Sequence, residues 1–370
     1  MKKLFFIAAI AGAALVSCTK NELAPSATEQ HEITFASPVV GVQTKVLGAI
    51  GTEYKTEESF EVWSVYNTVD ISAWDGTTYF SDVTAQYNRD ANGWGLNPKY
   101  FWPANGKLSF VALSPALGAD FPTSYTETTG FTIENWSQGN SESAIVDLMY
   151  SDVSWNNAKE DFGANSEELN DKDKNPYTGV DITFNHALSY LVFKITTEDD
   201  YSNTTKFELD KITLSGIYNK GSFTQKATDP WNENTTGGTG TYVAFEEGRV
   251  AKDAAGESIT FNAIDFTEAA KSKTPADVPE TIGKEIILLP QALVANQQKI
   301  TIEYRISTDG GTTWIAQVQE GYFYINSETT VKAWEMGKKY TYTITIGTDE
   351  ILFDPAVSEW ANGGDGTIEL

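Results

Sequence analysis

Ile-Thr-Ile-Glu-Tyr-Arg-Ile at residues 300–306 and Tyr-Thr-Tyr-Thr-Ile-Thr-Ile at residues 340–346 are the stretches that decide the fold of this chain. Apolar and polar side chains alternate in both, so an extended strand places the apolar set on one face. Asp-Gly-Gly at residues 309–311 separates the first stretch from the apolar run at 314–318, which predicts a β-hairpin. Short alternating segments and turn residues recur along the chain without long helical patterns. We therefore predict an all-β protein built from antiparallel β-sandwiches.

The amino end has the pattern of a signal peptide over residues 1–17. Two lysines precede an apolar run at residues 4–16, which is too short for a bilayer that needs about 20 residues of helix. The run ends in Leu-Val-Ser-Cys, the pattern of a lipobox, and Cys18 is the only cysteine of the chain. We predict a lipoprotein with Cys18 as the lipidated first mature residue, held to the outer membrane by its acyl chains. The alternative is an ordinary secretory signal that happens to end near a cysteine.

The composition of the chain suggests how it is divided. Residues 18–31 are polar and aperiodic, which predicts a flexible tether. The strongest break lies at residues 156–179, which are charged and nearly devoid of apolar side chains. We place a domain boundary near residue 178, giving an amino-terminal β-sandwich over 32–178 and a carboxyl-terminal one over 179–370. The alternative is a long loop inside a single domain.

The charge balance argues against nucleic acid as a partner. The chain has 26 basic and 51 acidic residues, a net charge of −25, and loss of the signal peptide with its two lysines makes it more acidic. Such a surface repels nucleic acid and anionic lipid headgroups.

Groups that carry catalysis or bind metals are scarce. The two histidines are His31 in the tether and His186 in an apolar segment, which we interpret as structural. The run beginning at Asp171 resembles the start of a calcium loop but has Pro176 and Ile182 where such a loop needs glycine and glutamate. We therefore predict no catalytic residue, no metal and no cofactor. A glycan-degrading enzyme, with two carboxylates in one cleft, is a distant alternative.

Aromatic residues are abundant, with 10 Trp, 17 Tyr and 19 Phe. Most of them alternate within predicted strands, which favours a place in the core. Trp74, Trp136 and Trp231 fall in predicted loops and suggest a second hypothesis. In that hypothesis, a non-polymerising surface lipoprotein binds glycan or host protein through loop aromatics.

Several phrases, in this order along the chain, resemble the fimbrillin-like family of lipoprotein fimbrial subunit precursors, also called type V pilins. They lie at residues 33–35, 100–103, 108–115, 146–150, 182–191, 288–291, 334–346 and 357–360. The resemblance implies two tandem transthyretin-like antiparallel β-sandwich domains. It also implies a structural or accessory subunit of surface fimbriae that supports adhesion. Such subunits polymerise by donor-strand exchange after a trypsin-like protease removes an amino-terminal strand, so the partners are that protease and other copies or related subunits.

The resemblance assigns roles to residues at both ends of the chain. The removable strand lies around residues 33–44, and cleavage follows Lys45, with Lys55 as the next candidate. The family favours arginine at the cut, so this chain departs from the pattern there. The donor strand is the carboxyl end, where Pro355 interrupts pairing. Its apolar residues are Ile351, Leu352, Phe353, Val357 and Trp360.

Overall fold

The fold is nearly all β. The computed structural model describes residues 31–40, 54, 58–88, 93–140, 145–158, 179–197, 204–233, 238–246, 250–252, 258–260, 264–265, 272–273, 286–324, 331–346 and 351–359. Within these ranges the helical structure is one 3-10 turn, Gly118–Asp120. None of the helices in this part of the chain is long and apolar enough to cross a membrane.

The strands before residue 178 are β1 (Thr34–Phe35), β2 (Val39–Val40), β3 (Ser59–Asn67), β4 (Thr77–Asn88), β5 (Gly93–Asn97), β6 (Lys107–Ser114), β7 (Thr123–Thr126), β8 (Gly130–Ser137), β9 (Met149–Ser151) and β10 (Ser154–Asn157). Those after residue 178 are β11 (Thr183–His186), β12 (Ser189–Thr197), β13 (Lys206–Tyr218), β14 (Lys220–Thr224), β15 (Trp231–Glu233), β16 (Thr239–Glu246), β17 (Val250–Lys252), β18 (Ser258–Thr260), β19 (Ile264–Asp265), β20 (Ser272–Lys273), β21 (Ile286–Leu288), β22 (Gln291–Ala292), β23 (Lys299–Ser307), β24 (Ile315–Tyr322), β25 (Ala333–Trp334), β26 (Lys338–Ile346) and β27 (Ile351–Glu359).

A nine-stranded sheet forms the first part of the molecule. Its strand order is β1-β5-β4-β3-β6-β9-β11-β2, and β10 also pairs with β6. Alternate residues of these strands turn inward and form one buried apolar cluster, the first core, which includes Phe35, Phe60, Phe110 and Phe184. Of the strand that the resemblance implies around residues 33–44, residues 34–35 and 39–40 belong to this sheet as β1 and β2.

Two five-stranded sheets share the second core. One has the order β20-β12-β26-β27 with β21 on β12, and the other has β16-β13-β23-β24 with β19 on β13. Side chains of both sheets, among them Phe193, Leu209, Ile302 and Tyr342, pack into one buried cluster. Pairing is mostly antiparallel, as predicted, but β12 with β26 and β2 with β11 are parallel. Partners far apart in sequence make either direction possible, and local alternation does not distinguish the two.

A smaller sheet joins the two halves of the chain. Its order is β15-β14-β8-β7, so strands from before and after residue 178 pair directly. The third core likewise combines Trp63 and Trp136 with Phe223 and Trp231. In addition, β11 pairs with β9 in the first sheet. The predicted boundary near residue 178 lies outside the described residues, and the division into two domains stays a prediction.

The hairpin predicted around residues 309–311 is confirmed. Strands β23 and β24 pair from Lys299 with Tyr322 to Ile306 with Ile315. The Asp309 carboxylate accepts hydrogen bonds from the backbone N–H groups of Thr312 (3.0 Å) and Thr313 (2.7 Å). These donors, together with the Ser307 hydroxyl, lower the pKa of Asp309 to about 2 because they stabilise its charged form.

Candidate functional site

Residues 31–40, which we call the amino-terminal ribbon, close the nine-stranded sheet. Strands β1 and β2 are the two ends of that sheet in its strand order, and both belong to this ribbon. β1 pairs antiparallel with β5, whereas β2 pairs parallel with β11. The ribbon therefore binds one edge of the remaining strands with one part and the opposite edge with another.

Residues 93–102, which include β5, form one of the two edges to which the ribbon binds. The Ile33 N–H donates to the Tyr100 carbonyl, and the Trp102 N–H donates to the His31 carbonyl, both at 2.9 Å. Lys99 and Glu32 add an ion pair at the surface, with 2.7 Å between Nζ and Oε2. An exposed pair of this kind contributes at most about 1 kcal/mol, so the backbone ladder and burial dominate here.

Residues 179–184, which include the start of β11, form the other edge to which the ribbon binds. The Ala36 N–H donates to the Val180 carbonyl (3.1 Å), and the Val180 N–H donates to the Thr34 carbonyl (2.9 Å). A Cβ at Gly179 would lie 2.3 Å from the carbonyl carbon of Phe35. Glycine is therefore required at 179 because the two backbones approach too closely for any side chain.

The side chains of the ribbon fill part of the first core. Ile33 is fully buried and Phe35 is 1% exposed. The Phe35 ring meets the rings of Phe60 and Phe110 edge to face, with centroid distances of 5.6 and 5.5 Å. Burying side chains of this size contributes about 1.5–3 kcal/mol each. Without the ribbon the remaining strands would have an apolar vacancy between two unpaired edges.

Tyr54 anchors the chain beyond the ribbon. Its hydroxyl donates to the Ser59 carbonyl (3.1 Å) and lies 2.6 Å from the Ser114 hydroxyl oxygen, while its ring stacks on Phe184. Burial raises the pKa of Tyr54 far above its usual value. No local pattern indicates a buried role for Tyr54, because it stands alone among polar neighbours. Residues 41–53 and 55–57, which include Lys45 and Lys55, lie outside the described residues.

The carboxyl-terminal strand β27 lies at the end of its sheet. It pairs antiparallel with β26 from Lys338 opposite Glu359 to Ile346 opposite Ile351. No second partner of β27 occurs among the described strands. Val357 is half-buried and packs against the second core, and Pro355 stands opposite Tyr342, where it offers no N–H to the ladder.

The predicted donor residues Ile351, Leu352, Phe353 and Val357 all belong to β27. Trp360 lies just beyond the described residues. Cys18 and the run beginning at Asp171 also lie outside them.

His186 contacts the side chain of Asp147, a partner that the sequence did not predict. Its Nδ1 lies 3.0 Å from the Asp147 carboxylate, and the imidazole is buried on β11. Within the described ranges no group of three or more His, Cys, Asp or Glu side chains is arranged to hold a metal ion.

Two of the three tryptophans assigned to loops are core residues. Trp136 lies on β8 and Trp231 on β15, both are buried, and the Trp231 Nε1 donates to the Ala187 carbonyl. Trp74 is half-exposed and packs against Tyr125 and Trp155. The prediction of a three-tryptophan loop platform was therefore wrong for Trp136 and Trp231.

Comparison with known proteins identifies the family. A family model described as fimbrillin-like matches residues 49–360. The chain belongs to the fimbrillin-like family. This membership supports a role as a fimbrial subunit at the cell surface, that is, as a structural protein and not as an enzyme.

One solved structure supports the fold of this fimbrillin-like chain. The crystal structure of a fimbrial protein from Bacteroides vulgatus matches at a TM-score of 0.58 and 15% identity, covering 90% of this chain and 100% of that one. A fimbrial assembly protein from Parabacteroides distasonis matches at a TM-score of 0.36 and 10% identity, covering 90% of this chain and 99% of that one. No curated protein matches the chain.

Proposed function

We propose that this protein is a structural or accessory subunit of fimbriae that is exported as a lipoprotein precursor and assembled by protease-triggered donor-strand exchange. The observation that carries the proposal is the position of the amino-terminal ribbon. The ribbon pairs with both edges of the remaining strands of the sheet, and its side chains fill part of the first core. The ribbon occupies the site as part of the same chain, and a cut on its carboxyl-terminal side would allow it to leave.

Removal of the ribbon would create a strong binding site for another strand. Burial of Ile33 and Phe35, together with the backbone hydrogen bonds on both edges, contributes on the order of 10 kcal/mol. That is comparable to the whole stability of a typical domain. Unpaired edges and an apolar groove are costly in water, so an incoming strand is favoured by β-augmentation.

The position of Tyr54 between the two lysines favours cleavage after Lys45 over cleavage after Lys55. A cut after Lys45 falls between the ribbon and Tyr54, so Tyr54 would stay bonded to Ser59 and Ser114 in the trimmed subunit. A cut after Lys55 would separate Tyr54 from the body together with the ribbon. The groove then loses a buried aromatic residue that an incoming strand must also replace.

The carboxyl-terminal strand β27 is suited to be the donor. Its release breaks one described ladder, that with β26, because it lies at the end of its sheet. Ile351, Phe353 and Val357 occupy alternate positions, which suits a groove that accepts side chains from one face of a strand.

The test is limited trypsin digestion of the purified chain followed by electrophoresis in SDS without boiling. We expect a ladder of SDS-resistant oligomers from the wild-type chain. Lys45→Gln should remain uncut at this site and monomeric, and a chain ending at residue 350 should be cut but form no ladder. Trimmed wild-type monomers without oligomers would overturn strand exchange, although the family assignment would stand.

A further inference from the structure

Strand β24 is the last strand of one of the two five-stranded sheets around the second core. It pairs with β23 over eight residues, Ile315–Tyr322, and ends the sheet order β16-β13-β23-β24. No described strand pairs with its other edge. In an antiparallel ladder every second residue directs both its N–H and its C=O away from the partner, so about half of the residues of β24 present unpaired groups outward.

The edge of β24 lacks the features that usually prevent strands from associating. It contains no proline, and its ladder with β23 has no register shift. Glu320 is its one charged residue, and Lys299 on β23 pairs with it at 2.8 Å. Two other sheet ends differ: the ladder of β16 with β13 is interrupted by two register shifts, and β27 carries Pro355.

Two large apolar side chains lie exposed on this strand. Ile315 is 57% exposed and Val318 is 62% exposed, although both belong to a regular strand. A chain with a net charge of −25 repels its own copies over most of its surface. A nearly uncharged strand with unpaired backbone groups is a place where two copies can approach at low electrostatic cost.

We propose that β24 pairs with β24 of a second copy of this chain, antiparallel about a two-fold axis centred at Val318. In this register Val318 faces its own counterpart, so two exposed apolar side chains cover each other. Gln317 then faces Gln319, and both can share amide hydrogen bonds. Cross-strand pairs of these kinds stabilise sheets.

The charges on the strand select this register over a neighbouring one. With the axis at Val318, Glu320 faces Ala316, and Ile315 faces Gly321, which leaves room for its branched side chain. An axis at Glu320 would bring two carboxylates directly opposite each other, which is unfavourable. The symmetric pair buries the apolar residues and separates the like charges.

The proposed contact between two β24 strands is small, so its affinity should be low. One strand per copy buries far less than the roughly 1,200 Å² of a standard stable interface, so isolated chains should associate weakly. Copies arrayed along fimbriae or on a membrane would make many such contacts at once, and their avidity would exceed that of each single contact. The pairing requires neither cleavage nor strand exchange, so it can be tested on the uncut chain.

Sedimentation equilibrium of the uncut chain carrying Cys18→Ser, which prevents lipidation, measures this association. We expect a weak monomer–dimer equilibrium and at least tenfold weaker association for Val318→Lys, because two lysines would then face each other. Val69→Lys is the matched control, since Val69 is 67% exposed and lies outside the strands. Unchanged thermal unfolding of Val318→Lys would show that the variant is folded.

Single cysteines placed in turn at positions 316–320 of the same Cys18→Ser chain test the register with a short thiol cross-linker. Cysteine at 318 should cross-link fastest because it alone faces itself. A monomeric chain at millimolar concentration, equal association of Val318→Lys and wild type, or equal cross-linking at all five positions would overturn the proposal.

Discussion

Replacing Phe35 with alanine should remove much of the energy that holds the amino-terminal ribbon in the first core. Phe35 is 1% exposed and contacts Phe60 and Phe110 edge to face. Truncation of a buried phenylalanine costs about 3–5 kcal/mol, because apolar burial is lost and a cavity remains. The loss is a large share of the roughly 5–15 kcal/mol that stabilises a typical domain.

Urea unfolding of the uncut chain, followed by tryptophan fluorescence, measures this loss. Val39→Ala is the matched control because Val39 lies in the same ribbon but is 42% exposed, so it should cost under about 1 kcal/mol. The difference between the two variants isolates burial from any general effect of shortening a ribbon side chain. If Phe35→Ala costs no more than Val39→Ala, the ribbon is not held by its core side chains and the reasoning is refuted.

The same variant links stability to assembly. If cleavage occurs after Lys45 as proposed, a ribbon that is bound more weakly should leave the first core sooner, so Phe35→Ala should form SDS-resistant oligomers faster than the wild-type chain at an equal protease concentration. Equal rates would show that release of the ribbon does not limit assembly.

Three further predictions address other parts of the molecule. Gly179→Ala should destabilise the uncut chain by about 1–3 kcal/mol in urea unfolding, because its Cβ would meet the ribbon backbone, whereas Gly95→Ala, with 3.4 Å to the nearest atom, should be much milder. The pKa of Asp309 is lower in the folded chain, so the stabilisation by its charge is full above the pKa of the unfolded chain and is lost as the pH falls through about 2. The difference in melting temperature between wild type and Asp309→Ala should therefore shrink over that range, and a constant difference would contradict this. Cys18→Ala should abolish incorporation of labelled palmitate in the producing cell, and a labelled variant would rule out Cys18 as the lipidation site.

Much of the fold could be predicted because period-two alternation is a local property of the chain. The hairpin of β23 and β24 followed from it together with the turn residues at 309–311. The sequence could not show that one ribbon occupies both ends of a sheet, since its partners at residues 94 and 180 are distant in the chain. Long-range pairing of this kind leaves no local pattern.

The errors at Trp136 and Trp231 have a similar cause. Each lies among polar neighbours, which is typical of loops, yet each belongs to a strand whose buried face meets strands from the other half of the chain. The pairing of His186 with Asp147 was missed because the two residues approach only through neighbouring strands β9 and β11. Tertiary packing decided these cases, and local composition could not.

The four-stranded sheet shared by the two halves has a mechanical consequence for any filament made of this protein. If subunits are joined by the proposed strand exchange, tension between the first sheet and β27 passes through the β8–β14 ladder, the β9–β11 ladder and the core that both halves share. A load applied along such strands meets several bonds at once instead of opening them one after another. Each subunit should therefore behave as a stiff link, and the filament should bend where one subunit meets the next.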